Sequence, residues 1–234
     1  MSDTVTSIAG GAPKPVFDRL GPKFAQASGH RLNALYDSMS GIAARVAARE
    51  AFDVLVMPVP LIEAYVKDGV VRAQGRAALA NIGLAVGVKA GRPLPDVSSP
   101  KALRQTLAAA RSLVHAPPSA TPSGAQSDKV IRQLGLADAL AGRVTHKVGL
   151  AGGLAMIASG EAELGIFPKS EIVSTAGVAL AGPLPAELQL IITYGAGVVA
   201  ASPLAAAAAV FIRFAAAPEN LALWTGCGFD PPPA

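Results

Sequence analysis

The feature that most restricts what this chain can fold into is a recurring order of segments. A short apolar run ends in glycine, serine or proline, and a stretch with helical spacing follows. Thr4–Ala9 reads as a strand ending in Gly10-Gly11-Ala12, after which Pro13 and Pro15 open a helix. Val16, Leu20 and Phe24 then fall at i, i+4 and i+8, on one helical face. Arg31–Leu35 is a second strand. A helix over Gly41–Ala48 follows it, with Ile42 and Val46 inward and Ser40 suited to the N-cap, where a hydroxyl accepts from a free amide. Phe52–Met57 is apolar throughout, as a strand covered on both faces requires. A helix over Leu61–Lys67 and a strand over Asn81–Val88 complete the first set. The second set comprises helices over Pro100–Ala110, Ala125–Leu134 and Leu154–Ser159, with strands over Ser112–His115, Glu163–Phe167 and Glu187–Ala200. Such alternation predicts an α/β fold with mainly parallel sheets flanked by helices.

The chain's 234 residues are enough for one large domain or two lobes of roughly 100 residues each. Hydrophobic residues make up 51% and charged ones 15%, which excludes disorder. Aromatics are 5%, so the core is expected to rest on Ala, Val, Leu and Ile. The net charge of +4 is scattered, and without a basic tract no nucleic-acid partner is expected. Cys227 has no second cysteine to pair with. The longest apolar run, Gly195–Ile212, is split by Ser202-Pro203, so it reads as strand then helix, without membrane insertion. The N-terminal Met-Ser-Asp-Thr-Val-Thr has neither a basic region nor an apolar one of leader type, which by itself points to the cytoplasm.

Three junctions carry the functional expectation: Gly10-Gly11-Ala12, Ser38-Met39-Ser40-Gly41 and Thr121-Pro122-Ser123-Gly124. A helix start presents unpaired N–H groups and a positive dipole end. Small residues let a ligand approach that backbone, and hydroxyls add donors. Several such termini at strand ends hold an anion without Arg or Lys. Each junction taken singly is also an ordinary cap or turn.

In order along the chain these segments resemble the periplasmic molybdate-binding proteins, within the type II periplasmic solute-binding fold. The resemblance rests on Phe52-Asp53-Val54-Leu55-Val56, on Leu61–Val71, on Arg76, Leu79 and Asn81, and on Thr121–Gly124. Ser159-Gly160-Glu161-Ala162-Glu163-Leu164-Gly165-Ile166-Phe167 is its most specific stretch, and Gly226–Phe229 closes it. The resemblance implies two lobes, 1–83 with 193–234 and 84–192, joined by two crossover strands and closing on a small anion. It also implies amides around Ala151-Gly152 facing the cleft, and a periplasmic protein that delivers its ligand to an ABC permease. The expected ligand-binding residues are Gly11, Ala12, Ser38, Ser40, His115, Thr121, Ser123, Gly152 and Phe167.

Two positions depart from the family. Its first loop offers a serine where this chain has Ala12, and its Gly-Ile-Val-Tyr strand ends here in Phe167. Each lost hydrogen bond to an anion costs about 1.5–3 kcal/mol. A more apolar site suits an organic carboxylate better than a tetrahedral oxyanion. His30, His115 and His146 lack ligand spacing, so neither a metal nor another cofactor is expected. His30 and His146 are expected to face solvent. His115, ending a strand before the Pro117–Gly124 loop, is the candidate acid/base. Asp37 is expected to turn away or pair with a base, because facing inward it would repel an anion. Three functions follow: a solute-binding protein, a cytoplasmic isomerase, tautomerase or lyase using His115, and a cytoplasmic ligand sensor.

Overall fold

Thr4–Ala9 (β1), Arg31–Tyr36 (β2) and Val54–Pro58 (β3) form parallel pairs in the computed structural model, which describes residues 3–232. Helices α1 (Lys14–Ser28), α2 (Met39–Ala47) and α3 (Val59–Lys67) follow these strands, and β4 (Ala77–Ile82) ends the segment. The chain then builds β5 (Leu84–Lys89), α4 (Pro100–Ala109), β6 (Leu113–His115), α5 (Pro122–Gln133), β7 (Val144–His146), α6 (Leu154–Ser159), β8 (Leu164–Pro168), α7 (Lys169–Val173) and β9 (Val178–Pro183). It ends with β10 (Ile192–Val198), α8 (Ala205–Ala216) and α9 (Leu221–Gly226). Two compact units result: Met1–Ile82 with Ile192–Ala234, and Gly83–Ile191.

Each unit holds one five-stranded sheet, ordered β2-β1-β3-β10-β4 and β7-β6-β8-β5-β9. The sheets are mixed rather than mainly parallel. In the first, β10 runs antiparallel to β3 and β4; in the second, β5 runs antiparallel to β8 and β9. β1 and β2, and β6 and β7, are parallel pairs joined by a helical crossover, as a return in the same direction requires, whereas α4 joins β5 and β6, which run in opposite directions.

The expected strand Asn81–Val88 is broken at Gly83. Gln189 explains the break, since its side chain accepts from Leu84 N at 2.7 Å and donates to Leu84 O at 3.0 Å. A side chain thus takes the place of a backbone partner for Leu84 N, while Leu84 O also accepts from Leu184 N at 3.0 Å. The expected strand Glu187–Ala200 is shorter for the same reason: Ala186–Leu188 form a helical turn, Gln189 is engaged at Leu84, and pairing starts at Ile192. The Gly195–Ile212 run divides between β10 and α8, and among the described residues no single helix is long and apolar enough to cross a membrane.

The core of the first unit is more aromatic than composition suggests. Phe17, Phe24, Phe211 and Trp224 meet edge to face at 5.2–6.0 Å, with Phe214 and Phe229 beside them. Concentrating them compensates for their scarcity, each buried ring contributing about 1.5–3 kcal/mol. Beneath the same sheet, Asp53 accepts from Thr6 N at 2.8 Å and from Ser202 Oγ at 2.6 Å, both partners buried or nearly so.

Candidate functional site

In the first unit β1 and β2 run in register to Ala9 and Tyr36, so the loops after them leave one edge together. Asp37 N donates to Ala9 O at 3.1 Å, tying the two loops. Gly10 lets the backbone pass close to α2 and β10: a Cβ there would lie 2.7 Å from Met39 Cε and 2.9 Å from the Tyr194 hydroxyl and would have to displace them. Gly11 follows, half-buried, and Ala12 is buried. Ser38, not Ser40, caps α2: its Oγ accepts from Gly41 N at 3.0 Å, while Ser40 sits in the first turn, exposed, 3.1 Å from Ser38 Oγ. The helix begins earlier than spacing implied because Asp37 Oδ1 accepts from Ser38 N at 2.7 Å and fixes that residue as the cap. Asp37 does meet a base, Arg45, at 3.9 Å. Tyr36 was missed. Its hydroxyl is buried without a partner and its ring carries Lys14 Nζ at 5.2 Å. Burial, then the charge of Asp18, pushes its phenol well above the ordinary range.

In the second unit the loop after β6 packs tightly onto the start of α5. A Cβ on Gly124 would stand 2.5 Å from Ala116 O, so only glycine fits. Thr121 Oγ1 accepts from Gly124 N at 2.9 Å and lies 3.0 Å from Ser123 Oγ. Ser123 is buried. His115 is fully buried, with Nδ1 2.8 Å from Ala116 O. A carbonyl only accepts, so Nδ1 carries the proton and the neutral ring leaves Nε2 as a bare acceptor. That Nε2 has no partner. Desolvation is the main cause holding the ring's pKa below its ordinary value, partly opposed by the Ala116 carbonyl; nearby His146 lowers it further. His146 is exposed, as expected, and meets His115 edge to face at 4.7 Å. His30 departs from expectation, half-buried against Phe24 and Asp3.

The chain returns to this place after β7. Lys147 N donates to His115 O at 2.9 Å, and a wide turn over Gly149–Gly153 leads into α6. Gly152 has φ +111°, a value that favours glycine. Phe167 is buried under this turn: a Cβ on Gly153 would meet its ring at 2.8 Å. It is therefore packing beneath the turn, not an open lining residue as expected. Glu171, in the first turn of α7, was also missed. Its carboxylate lies over Gly149, where any Cβ would collide with Oε2. Burial alone pushes its pKa up to about 7. In the sequence, an acid at a helix start reads as a routine dipole partner. Among the described residues, no group of three or more His, Cys, Asp or Glu could hold a metal ion.

The first unit thus brings together Gly11, Ala12, Ser38 and Ser40, and the second brings together His115, Thr121, Ser123 and the Gly152 turn, with Phe167 beneath. Residues 5–230 match the family described as bacterial extracellular solute-binding proteins. The chain belongs to that family. Its fold is shared with the periplasmic molybdate-binding protein of Azotobacter vinelandii, at TM-score 0.83 and 20% identity, covering 98% of this chain and 100% of that one. The sulfate-binding protein SubI of Mycobacterium tuberculosis superposes at TM-score 0.76 and 20% identity, covering 98% and 87%. By sequence, this solute-binding protein is 27% identical to the aconitate isomerase of a Pseudomonas species, over 99% of this chain and 89% of that protein. The type II solute-binding architecture implied by the sequence is therefore the one observed.

Proposed function

We propose that this solute-binding protein captures a small organic carboxylate and passes it to an ABC permease. The observation that carries the reading is His115: a fully buried imidazole whose Nε2 finds no partner, set beside the Thr121–Gly124 helix start. Leaving a buried polar atom unpaired costs about 1–3 kcal/mol, a cost that a ligand supplying the partner removes. A ligand hydroxyl donates to the neutral ring; a carboxylate accepts from the ring once it is protonated. Ala12 supplies no hydroxyl where the resembling family offers a serine, which favours carboxylates further. A thermal-shift screen tests this. Di- and tricarboxylates should raise the Tm, with molybdate and sulfate giving smaller shifts; a response to molybdate alone overturns it.

A second reading, isomerisation of an unsaturated organic acid, is favoured by one pair of observations. The chain resembles an aconitate isomerase along nearly its full length. The same unit also holds two buried titratable groups, His115 and Glu171, with Glu171 pushed up to about 7, where a carboxyl both gives and takes protons. In that reading a base removes a proton from the carbon next to a double bond, and the proton returns at the far end of the allylic system. Proton NMR of cis-aconitate with the protein in D2O tests it. Conversion to the trans isomer with deuterium uptake supports turnover; an unchanged spectrum at high protein concentration leaves only capture.

A further inference from the structure

Lys147 leads from β7 into the Gly149–Gly153 turn. Its amide donates to His115 O at 2.9 Å, so its backbone is fixed to the strand end that carries the unpartnered imidazole. Its side chain runs across Gly152, placing Nζ 3.1 Å and Cε 2.8 Å from where a Cβ would stand. Glycine is favoured there by the backbone angle of φ +111°, and its bare Cα lets the lysine stem pass close by. Lys147 is exposed and joins no ion pair among the described residues. Lys14 is held by Asp18 and Lys89 by the Ser159 carbonyl, while Lys23, Lys67, Lys101 and Lys129, like Lys147, join no ion pair among the described residues.

We infer that Lys147 is the charge partner of one carboxylate of a di- or tricarboxylate ligand, and that it sets the preference for such acids over tetrahedral oxyanions. The inference rests on the proposed capture of an organic carboxylate. His115, the Thr121–Gly124 helix start and Lys147 are joined by direct contacts: Gly124 packs on the Ala116 carbonyl, and Lys147 N on the His115 carbonyl. A compact oxyanion is satisfied by the helix start and hydroxyls. A larger acid leaves a second carboxylate over, and an ammonium on a four-carbon stem follows acids of different length. Because the ammonium is exposed, its contribution falls as salt rises.

Isothermal titration with tricarballylate, which has three carboxylates and no double bond to isomerise, provides the test. Lys147→Gln should weaken tricarballylate binding about tenfold, as loss of a charge-assisted contact does. It should also flatten the salt dependence and leave molybdate affinity unchanged, whereas Lys147→Arg should retain most of the affinity. Equal tricarballylate affinity in wild type and Lys147→Gln at low salt overturns the inference while leaving the capture reading intact. A wild-type protein that binds molybdate but gives no heat with tricarballylate overturns both. Equal loss of tricarballylate and molybdate affinity shows that Lys147 does not discriminate and overturns the specificity claim.

Discussion

His115 and Glu171 are each buried at a cost to the fold, and that cost makes them testable. His115→Phe removes the orphaned Nε2 and its desolvation, so the Tm should hold or rise while carboxylate binding weakens at least about tenfold. Glu171 has a pKa raised from 4.5 to about 7. Between those values the folded state binds the proton and the unfolded state does not, so stability falls as pH rises through the window. The full penalty, about 3 kcal/mol, is in force above pH 7 and absent below pH 4.5. Denaturant unfolding should show wild type losing more stability than Glu171→Gln between pH 5 and about 7.5. Neither role was legible beforehand in full. His115 stood out because it ends a strand before a proline-rich loop. Glu171 and Tyr36 became visible only when tertiary packing placed them, Glu171 over Gly149 and Tyr36 beneath Lys14.

At the scale of elements, caps and close approaches separate neighbouring residues that look alike in sequence. Ser38→Ala removes the Gly41 cap and should cost about 1 kcal/mol, whereas Ser40→Ala should be near neutral; paired urea unfolding curves distinguish the two. Gly124→Ala forces a Cβ into the Ala116 and Pro117 carbonyls and should destabilise by about 1–3 kcal/mol. The strand–helix order of the chain was legible because apolar runs and helical spacing persist over many residues. β9, built from Val178-Ala-Leu-Ala-Gly-Pro, was not, since alanine and glycine give no alternation to read. The break at Gly83 escaped because Gln189, which repairs it, lies 105 residues away from Leu84. The three helix starts were legible from their small and hydroxyl residues. Which serine caps the second of them depended on Asp37, whose carboxylate fixes Ser38.

At the scale of the whole molecule, the first unit is assembled from the two ends of the chain, and Asp53 marks the join. It ties Thr6 of β1 to Ser202, 149 residues beyond Asp53, in a place with little water to replace either bond. Asp53→Ala should therefore cost about 2–4 kcal/mol and lower the Tm by several degrees in calorimetry. The family places a chain of this fold among solute-binding proteins, and its own residues decide the kind of solute. Equilibrium binding of citrate and of molybdate to the wild-type protein, measured side by side at one pH and one ionic strength, tests that decision most directly. Citrate binding at least about tenfold tighter is the expected result, the gap that one charge-assisted contact supplies. Molybdate binding the tighter of the two contradicts the account.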